Sequence, residues 1–219
     1  MAPSKSPSRK EQILQSLARM LETSPGERIT TAALAKEVGV SEAALYRHFP
    51  SKARMFEGLI RFIEETLFAR FTRILADEPS AVKRCEQILL LILTFSSKNP
   101  GITRILVGDA LAGESDRLRE RVAQIFDRVE AQLKQILREA QIRENLRTTV
   151  SPAILANMLL SCCEGRMGQY VRSQFQRSPL ENWEEQWQYL AAHLMVPAES
   201  NSTNTLADPA EKTTAIFND

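Results

Sequence analysis

From residue 9 to residue 194 the apolar positions recur with a helical period, and no stretch alternates as a half-buried strand would. Ile13, Leu14, Leu17, Ala18 and Leu21 form one stripe of a first helix over about residues 8–22, closed by Ser24-Pro25-Gly26. Two short helices follow, about 31–38 and 41–49, separated at Gly39. Pro50-Ser51 then opens a long fourth helix, about 52–75, whose main apolar arc is Phe56, Leu59, Ile60, Ile63, Leu67, Phe71 and Ile74. A fifth helix, about 80–97, holds the run Ile88 to Leu93 and should be buried on several sides. After Asn99-Pro100-Gly101 the spacing predicts a short helix over 102–111. A charged amphipathic helix follows over 115–143, with Leu118, Val122, Ile125, Val129, Leu133, Ile136 and Ala140 on one face. An eighth helix starts at Ser151-Pro152 and runs to about 175. A ninth, about 180–195, carries Trp183, Trp187, Leu190 and Leu194 on one side. The expected fold class is all-α, with about nine helices.

The second and third helices carry the most specific signal. Ser41 is a natural N-cap, and Leu34, Val38, Val40, Leu45 and Phe49 are spaced to pack the pair together. Two short helices joined through a glycine turn describe a helix-turn-helix, whose second helix enters the major groove of DNA. Ala43 and Ala44 are small enough to let that helix approach a thymine methyl. Tyr46 and His48 suit phosphates, and Arg47 suits a phosphate or a guanine. Thr30, Thr31, Ser41, Glu42 and Lys52 complete the candidate DNA-binding set.

Composition modifies this picture in one respect. The 219 residues sum to a net charge of only +1, ordinary for a globular protein, but the charge is unevenly spread. Residues 1–54 hold 9 Lys and Arg against 5 Asp and Glu, a balance of +4, while the remainder is mildly acidic at −3. Such a chain meets phosphates with one end only. The three cysteines, Cys85, Cys162 and Cys163, have neither disulfide nor metal-ligand spacing. With only His48 and His193 as histidines, no metal or cofactor is expected. Gly-rich phosphate loops, HExxH and nucleophile–histidine arrangements are absent, which argues against an enzyme. No apolar run approaches membrane-spanning length and no leader is evident, so a cytoplasmic, nucleoid-associated protein is expected. The organisation expected is a disordered 1–7, a DNA-binding unit over 8–67 with the helix-turn-helix at about 30–49, a helical body over 68–196, and a disordered tail over 197–219.

The segment from Thr30 to Lys52 resembles the helix-turn-helix of TetR-type regulators. That resemblance implies an all-helical body and a homodimer formed by the last two helices, reading a palindromic site. In this chain Ala156, Leu160, Cys163, Met167, Trp183, Trp187 and Leu190 are the candidate interface residues. Further along, Asn99-Pro100-Gly101-Ile102-Thr103-Arg104-Ile105-Leu106, Asp116-Arg117-Leu118, Glu130-Ala131-Gln132-Leu133 and Cys163-Glu164-Gly165 are similar to the nucleoid occlusion branch of that family, over about residues 9–195. The resemblance implies a protein that, when bound to chromosomal sites, antagonises polymers of the tubulin-like division protein FtsZ. The alternative within the family is a repressor released by a small ligand. Phe62 lies off the main arc of the fourth helix, near Glu65 and Arg73, and is either buried against another helix or an anchor for a partner peptide. The family's partner site, beside helices four and five, adds Arg61, Arg70, Leu91, Lys98 and Asn99. Lys98 departs from the usual arginine, and Asp109-Ala110-Leu111 from a common His-Ala-Leu.

Overall fold

A computed structural model describes residues 8–24 and 29–198. Helix α1 (Arg9–Thr23) opens with a full capping box, in which the Ser8 hydroxyl accepts from the Glu11 N–H and the Glu11 carboxylate accepts from the Ser8 N–H. Ile13, Leu17 and Leu21 form its buried stripe. Helix α2 (Thr31–Val38) is capped by Thr30 and ends at Gly39, whose φ of 73° is the left-handed conformation that the turn requires. Helix α3 (Glu42–His48) is capped by Ser41, whose hydroxyl accepts from the Ala44 N–H. Ser51 caps α4 (Lys52–Asp77), which runs unbroken past the boundary expected at 67–68.

The remaining elements are α5 (Ala81–Lys98), α6 (Pro100–Leu106), a 3-10 turn at Asp109–Leu111, α7 (Asp116–Glu144), β1 (Leu146–Thr148), α8 (Pro152–Arg172), α9 (Trp183–Leu194) and β2 (Met195–Pro197). One hydrophobic cluster extends from Ile13 in α1 to Leu194 at the end of α9. The long helix α4 supplies its middle, burying Met55, Phe56, Leu59, Ile60, Ile63, Leu67 and Phe71. Each such side chain contributes about 1.5–3 kcal/mol of gross burial energy. The two ends of the molecule are therefore welded through one core, and α4 belongs to both.

Several helix ends differ from the sequence expectation. The helix expected over 102–111 stops at Leu106, because Gly108 takes a φ of 82° and the chain re-enters only as a 3-10 turn. Helix α8 stops at Arg172, before Gln174 and Phe175 with φ of 52° and 64°. Helix α9 starts at Trp183, after Asn182 with φ of 52°. The small antiparallel ribbon was not anticipated; Leu146 faces Pro197 and Thr148 faces Met195. Three residues per strand are too few to display a two-residue period. Pro197 and Ala198, expected in a disordered tail, instead close this ribbon, and the Ala198 N–H donates to the Asn145 carbonyl at 2.9 Å. Residues 1–7 and 199–219, also expected to be disordered, lie outside the described residues.

On α5, Ile88, Leu89, Ile92 and Leu93 are buried, while Leu90 and Leu91 are only partly covered. Between α5 and α6 the corner is held by side-chain bonds to backbone. The Thr103 hydroxyl reaches the Ser96 and Asn99 carbonyls, and the Asn99 amide donates to the Phe95 carbonyl at 2.7 Å. Among the described residues no helix is long and apolar enough to cross a membrane.

Candidate nucleic-acid and partner-binding surfaces

The cap chemistry of α2 and α3 decides what the DNA-reading face presents. Thr30 spends its oxygen on the Ala33 N–H and Ser41 on the Ala44 N–H, so both helices start firmly. Leu45 turns inward and is fully buried, leaving Glu42, Ala43, Tyr46 and Arg47 on the exposed side, with Ala44 and His48 half-buried at its border. Arg47 makes no ion pair among the described residues. Tyr46 keeps 42% exposure, and its hydroxyl donates to the Thr31 hydroxyl at 3.2 Å. Thr31 in turn donates to the Glu42 carboxylate at 2.9 Å.

Lys52 departs from its expected role. Its ammonium is paired with Glu114 at 2.5 Å and sits over the Phe56 ring, with only 21% of the side chain exposed. It ties the start of α4 to the loop before α7 instead of standing free for a phosphate. Nothing local announces this bond, because its partner lies 62 residues away.

A recess of about 450 Å³ lies between α1, α4 and the α5–α6 corner, lined by Leu14, Ala18, Leu59, Phe62, Lys98, Asn99 and Ile102 together with the polar rim of α1. Phe62, at 46% exposure, leans on Phe95 with ring centroids 6.4 Å apart. Of the expected partner-site residues, Phe62, Lys98 and Asn99 thus share one recess. Arg61, Glu65, Arg70 and Arg73 are exposed along α4, and Leu91 is partly covered on α5 outside the recess lining. Arg61, Arg70, Arg73 and Lys98 form no ion pair among the described residues; Lys98 lines the recess with Phe62, and the three arginines are spread along the exposed face of α4. The contribution of α1 to this recess escaped the sequence reading. Its available signal was a pair of small residues, Ala18 and Gly101, which lets two backbones close up.

The seven candidate dimer residues require correction. Ala156, Cys163 and Met167 have no exposed surface, Leu160 retains 4%, Trp183 6% and Trp187 4%, and Leu190 packs half-buried on the same core. These side chains face this chain's own interior. The opposite side of α8 is the open one. Ile154 and Met158 are each 56% exposed, and Ser161 and Gly165 continue their line at helical spacing. Tyr189 on α9 is 73% exposed. An apolar stripe shows which face is buried but not what buries it.

Among the described residues, the two buried thiols are held in their neutral form. Burial pushes the Cys85 thiol up to about 12, with Glu144 adding to the effect, and burial raises Cys163 as well. Burial, then the neighbouring Glu130 carboxylate, raises Glu164. Among the described residues no cluster of three or more His, Cys, Asp or Glu side chains could hold a metal.

Comparison with known proteins places these surfaces in a family. Residues 13–59 match the model of bacterial regulatory proteins of the tetR family. Residues 80–195 match a SlmA-like, tetracyclin repressor-like C-terminal domain. The chain is 58% identical over 188 residues to the nucleoid occlusion factor SlmA of Marinomonas sp., covering 86% of this chain and 95% of that protein. It is 61% identical over 183 residues to the protein of that name from Alteromonas mediterranea, covering 84% and 94%. Among solved structures, the MbdR regulator of Azoarcus sp. superposes with a TM-score of 0.72 at 17% identity, over 86% of this chain and 100% of that one. A TetR transcription regulator from Haloarcula marismortui gives 0.71 at 19% identity, over 86% and 98%. At those identities the structural likeness speaks for the fold alone.

Proposed function

This chain belongs to the TetR family of bacterial regulatory proteins, in the branch with a SlmA-like C-terminal domain, and we propose from that membership a specific working mechanism for it as a nucleoid occlusion factor. It is a DNA-binding regulator and not an enzyme. Two copies join through the exposed face of α8 and α9, built from Ile154, Met158, Ser161, Gly165 and Tyr189. The two α3 helices then address the half-sites of a palindrome, where two-fold protein symmetry meets two-fold DNA symmetry. Thr30, Thr31, Ser41, Tyr46, Arg47 and His48 position the protein on phosphates and base edges, with Ala43 and Ala44 giving close approach. Lys52 serves the fold through Glu114.

Once seated on DNA, the protein takes hold of FtsZ through the recess around Phe62. The observation that carries this assignment is the exposed Phe62 sharing a recess with Lys98, on a helix whose exposed face also carries Arg61, Arg70 and Arg73, none of the four cations neutralised by an ion pair among the described residues. An acidic, apolar peptide such as the tail of FtsZ would set its apolar side chains against Phe62 and its carboxylates toward Lys98 and the α4 arginines, away from Glu11 and Glu22 on the α1 rim. The recess is walled on one side by α1 of the DNA-binding unit, and α4 starts immediately after α3. A shift of the DNA-binding unit on its operator therefore alters the recess, which gives DNA and FtsZ a shared coupling free energy. Asn99 lines the recess, while Glu65 on α4 and Leu91 on α5 lie outside the lining.

Phe62→Ala tests the assignment without touching the DNA face. Aromatic anchors of this kind cost about 2 kcal/mol on truncation, roughly thirtyfold in affinity. Fluorescence anisotropy with a labelled FtsZ tail peptide should show that loss, while the affinity for operator DNA and the melting temperature hold. Unchanged peptide affinity would place the partner surface elsewhere.

A further inference from the structure

On the DNA-reading face the hydroxyl protons are already engaged. Tyr46 donates to Thr31, and Thr31 donates to Glu42, so the chain of bonds ends on a carboxylate. A threonine or tyrosine hydroxyl carries one proton. Neither therefore has one left for a phosphate while Glu42 holds its place. Glu42 is the first residue of α3, where the helix dipole favours its negative charge, and Tyr46 stands one turn further on the same side. Thr31 is the first residue of α2. All three side chains lie at the surface where the two helix starts converge, the place at which a phosphate and the base edges arrive together.

A carboxylate is an unusual neighbour for DNA. It repels phosphate, and it competes with phosphate for the Thr31 proton. In the major groove it can be satisfied by only a few groups, foremost the exocyclic N4 amino group of cytosine. Guanine offers it O6 and N7 and thymine O4, all of them acceptors, and adenine sets its N6 donor beside the N7 acceptor. We infer that Glu42 is a specificity-determining residue of the DNA-reading surface. In the free protein it stands in for phosphate on the Thr31–Tyr46 pair. On a correct half-site it accepts from a cytosine N4 amino group and releases the Thr31 proton to a phosphate. On guanine or thymine it must be freed with no donor to receive it, and on adenine the N6 donor comes beside the repelling N7 acceptor. The inference rests on the proposed reading of DNA by α3 and adds the identity of the residue and the base.

Binding-site selection from a randomised duplex pool, run with the wild-type full chain, Glu42→Gln and Glu42→Ala, tests it. Kd values for the selected duplex and for a scrambled one complete the experiment, with circular dichroism melting to compare the folds. The wild type should select a cytosine at one position of each half-site, preferred about fivefold or more over the other bases. Glu42→Ala should lose that preference and no other. Glu42→Gln should move it toward adenine, whose N6 and N7 suit an amide. Both variants should bind the scrambled duplex about threefold or more tighter, since a charge that repels every phosphate is gone. The inference is overturned if either variant selects the same base as the wild type at every position, or if affinity for the scrambled duplex does not rise. Failure of the wild type to select any sequence would instead overturn the DNA-reading proposal beneath it.

Discussion

Replacing Gly101 by alanine is expected to destabilise the protein by about 3 kcal/mol or more, at the upper end of what overpacking costs. For a chain of this size that lowers the melting temperature by roughly 6–12 °C. The reason is a backbone-to-backbone contact between α6 and α1. A Cβ built on Gly101 would stand 1.9 Å from the Ala18 carbonyl oxygen and 2.9 Å from the Glu22 nitrogen. Neither atom is a flexible side-chain end, so relief requires the two helices to separate. Separation would expose Leu21 and Ile102, both buried nearby, and would open the recess around Phe62. Gly39→Ala makes a useful contrast. There a Cβ meets nothing within 4 Å, and the only cost is the left-handed φ of 73°. That cost is about 1–2 kcal/mol. Thermal unfolding of the two variants side by side should therefore rank Gly101→Ala as clearly the worse. An equal or smaller shift would mean that α1 and α6 are not in this contact in solution.

Arg104→Met should cost about 3 kcal/mol, as expected when a buried, hydrogen-bonded charge is removed from its partners. Arg104 is only 5% exposed, and its guanidinium donates to the Leu21 carbonyl at 2.7 Å and to the Ser24 carbonyl at 3.3 Å. Those carbonyls belong to the end of α1, where backbone acceptors lack helical partners and favour a cation. The same side chain pairs with Asp109 through its Nε. Methionine fills the space of the stem but leaves the end of α1 uncapped. Asp109 contributes little to this, because its side chain is 46% exposed and water can replace its partner. Asp109→Asn should accordingly cost under about 1 kcal/mol in the same denaturant titration. Two equal losses would mean that the ion pair, and not the cap on α1, holds the corner. Surface pairs such as Arg19 with Glu37 join α1 to α2 but, at 63% and 39% exposure, cannot substitute for this cap.

Much of this architecture is legible in the sequence because helices announce themselves locally. Ser8, Thr30, Ser41, Ser51 and Ser80 each precede an apolar-periodic run, and each caps a helix. Gly39 marks the turn between α2 and α3, and the buried stripe of α4 follows its apolar arc closely. What stays hidden is long-range. The sequence around Lys52 reads as a phosphate contact, and only the fold brings Glu114 to it. Arg104 reads as one more surface charge until α1 is laid across α6. Helix α8 has apolar or small residues on two sides. Its periodicity identifies both sides without saying that Ala156, Cys163 and Met167 serve the core while Ile154 and Met158 look outward. The candidate DNA face is local, built from two adjacent short helices whose caps and turn are visible in the sequence. The partner recess draws on three separated helices, so its α1 wall was missed.

The mechanism joins these parts. The DNA-binding unit is held to the body by the Gly101 contact, the Arg104 cap and the Lys52–Glu114 pair, and the recess for FtsZ lies beside that seam. Sedimentation of FtsZ polymers with GTP tests the central claim most directly, comparing the protein alone, a selected palindromic duplex alone, and both together. The polymer fraction should fall markedly only when protein and duplex are both present, and a scrambled duplex should not substitute. A pellet that is unchanged at saturating duplex, or that falls equally without DNA, would contradict the account.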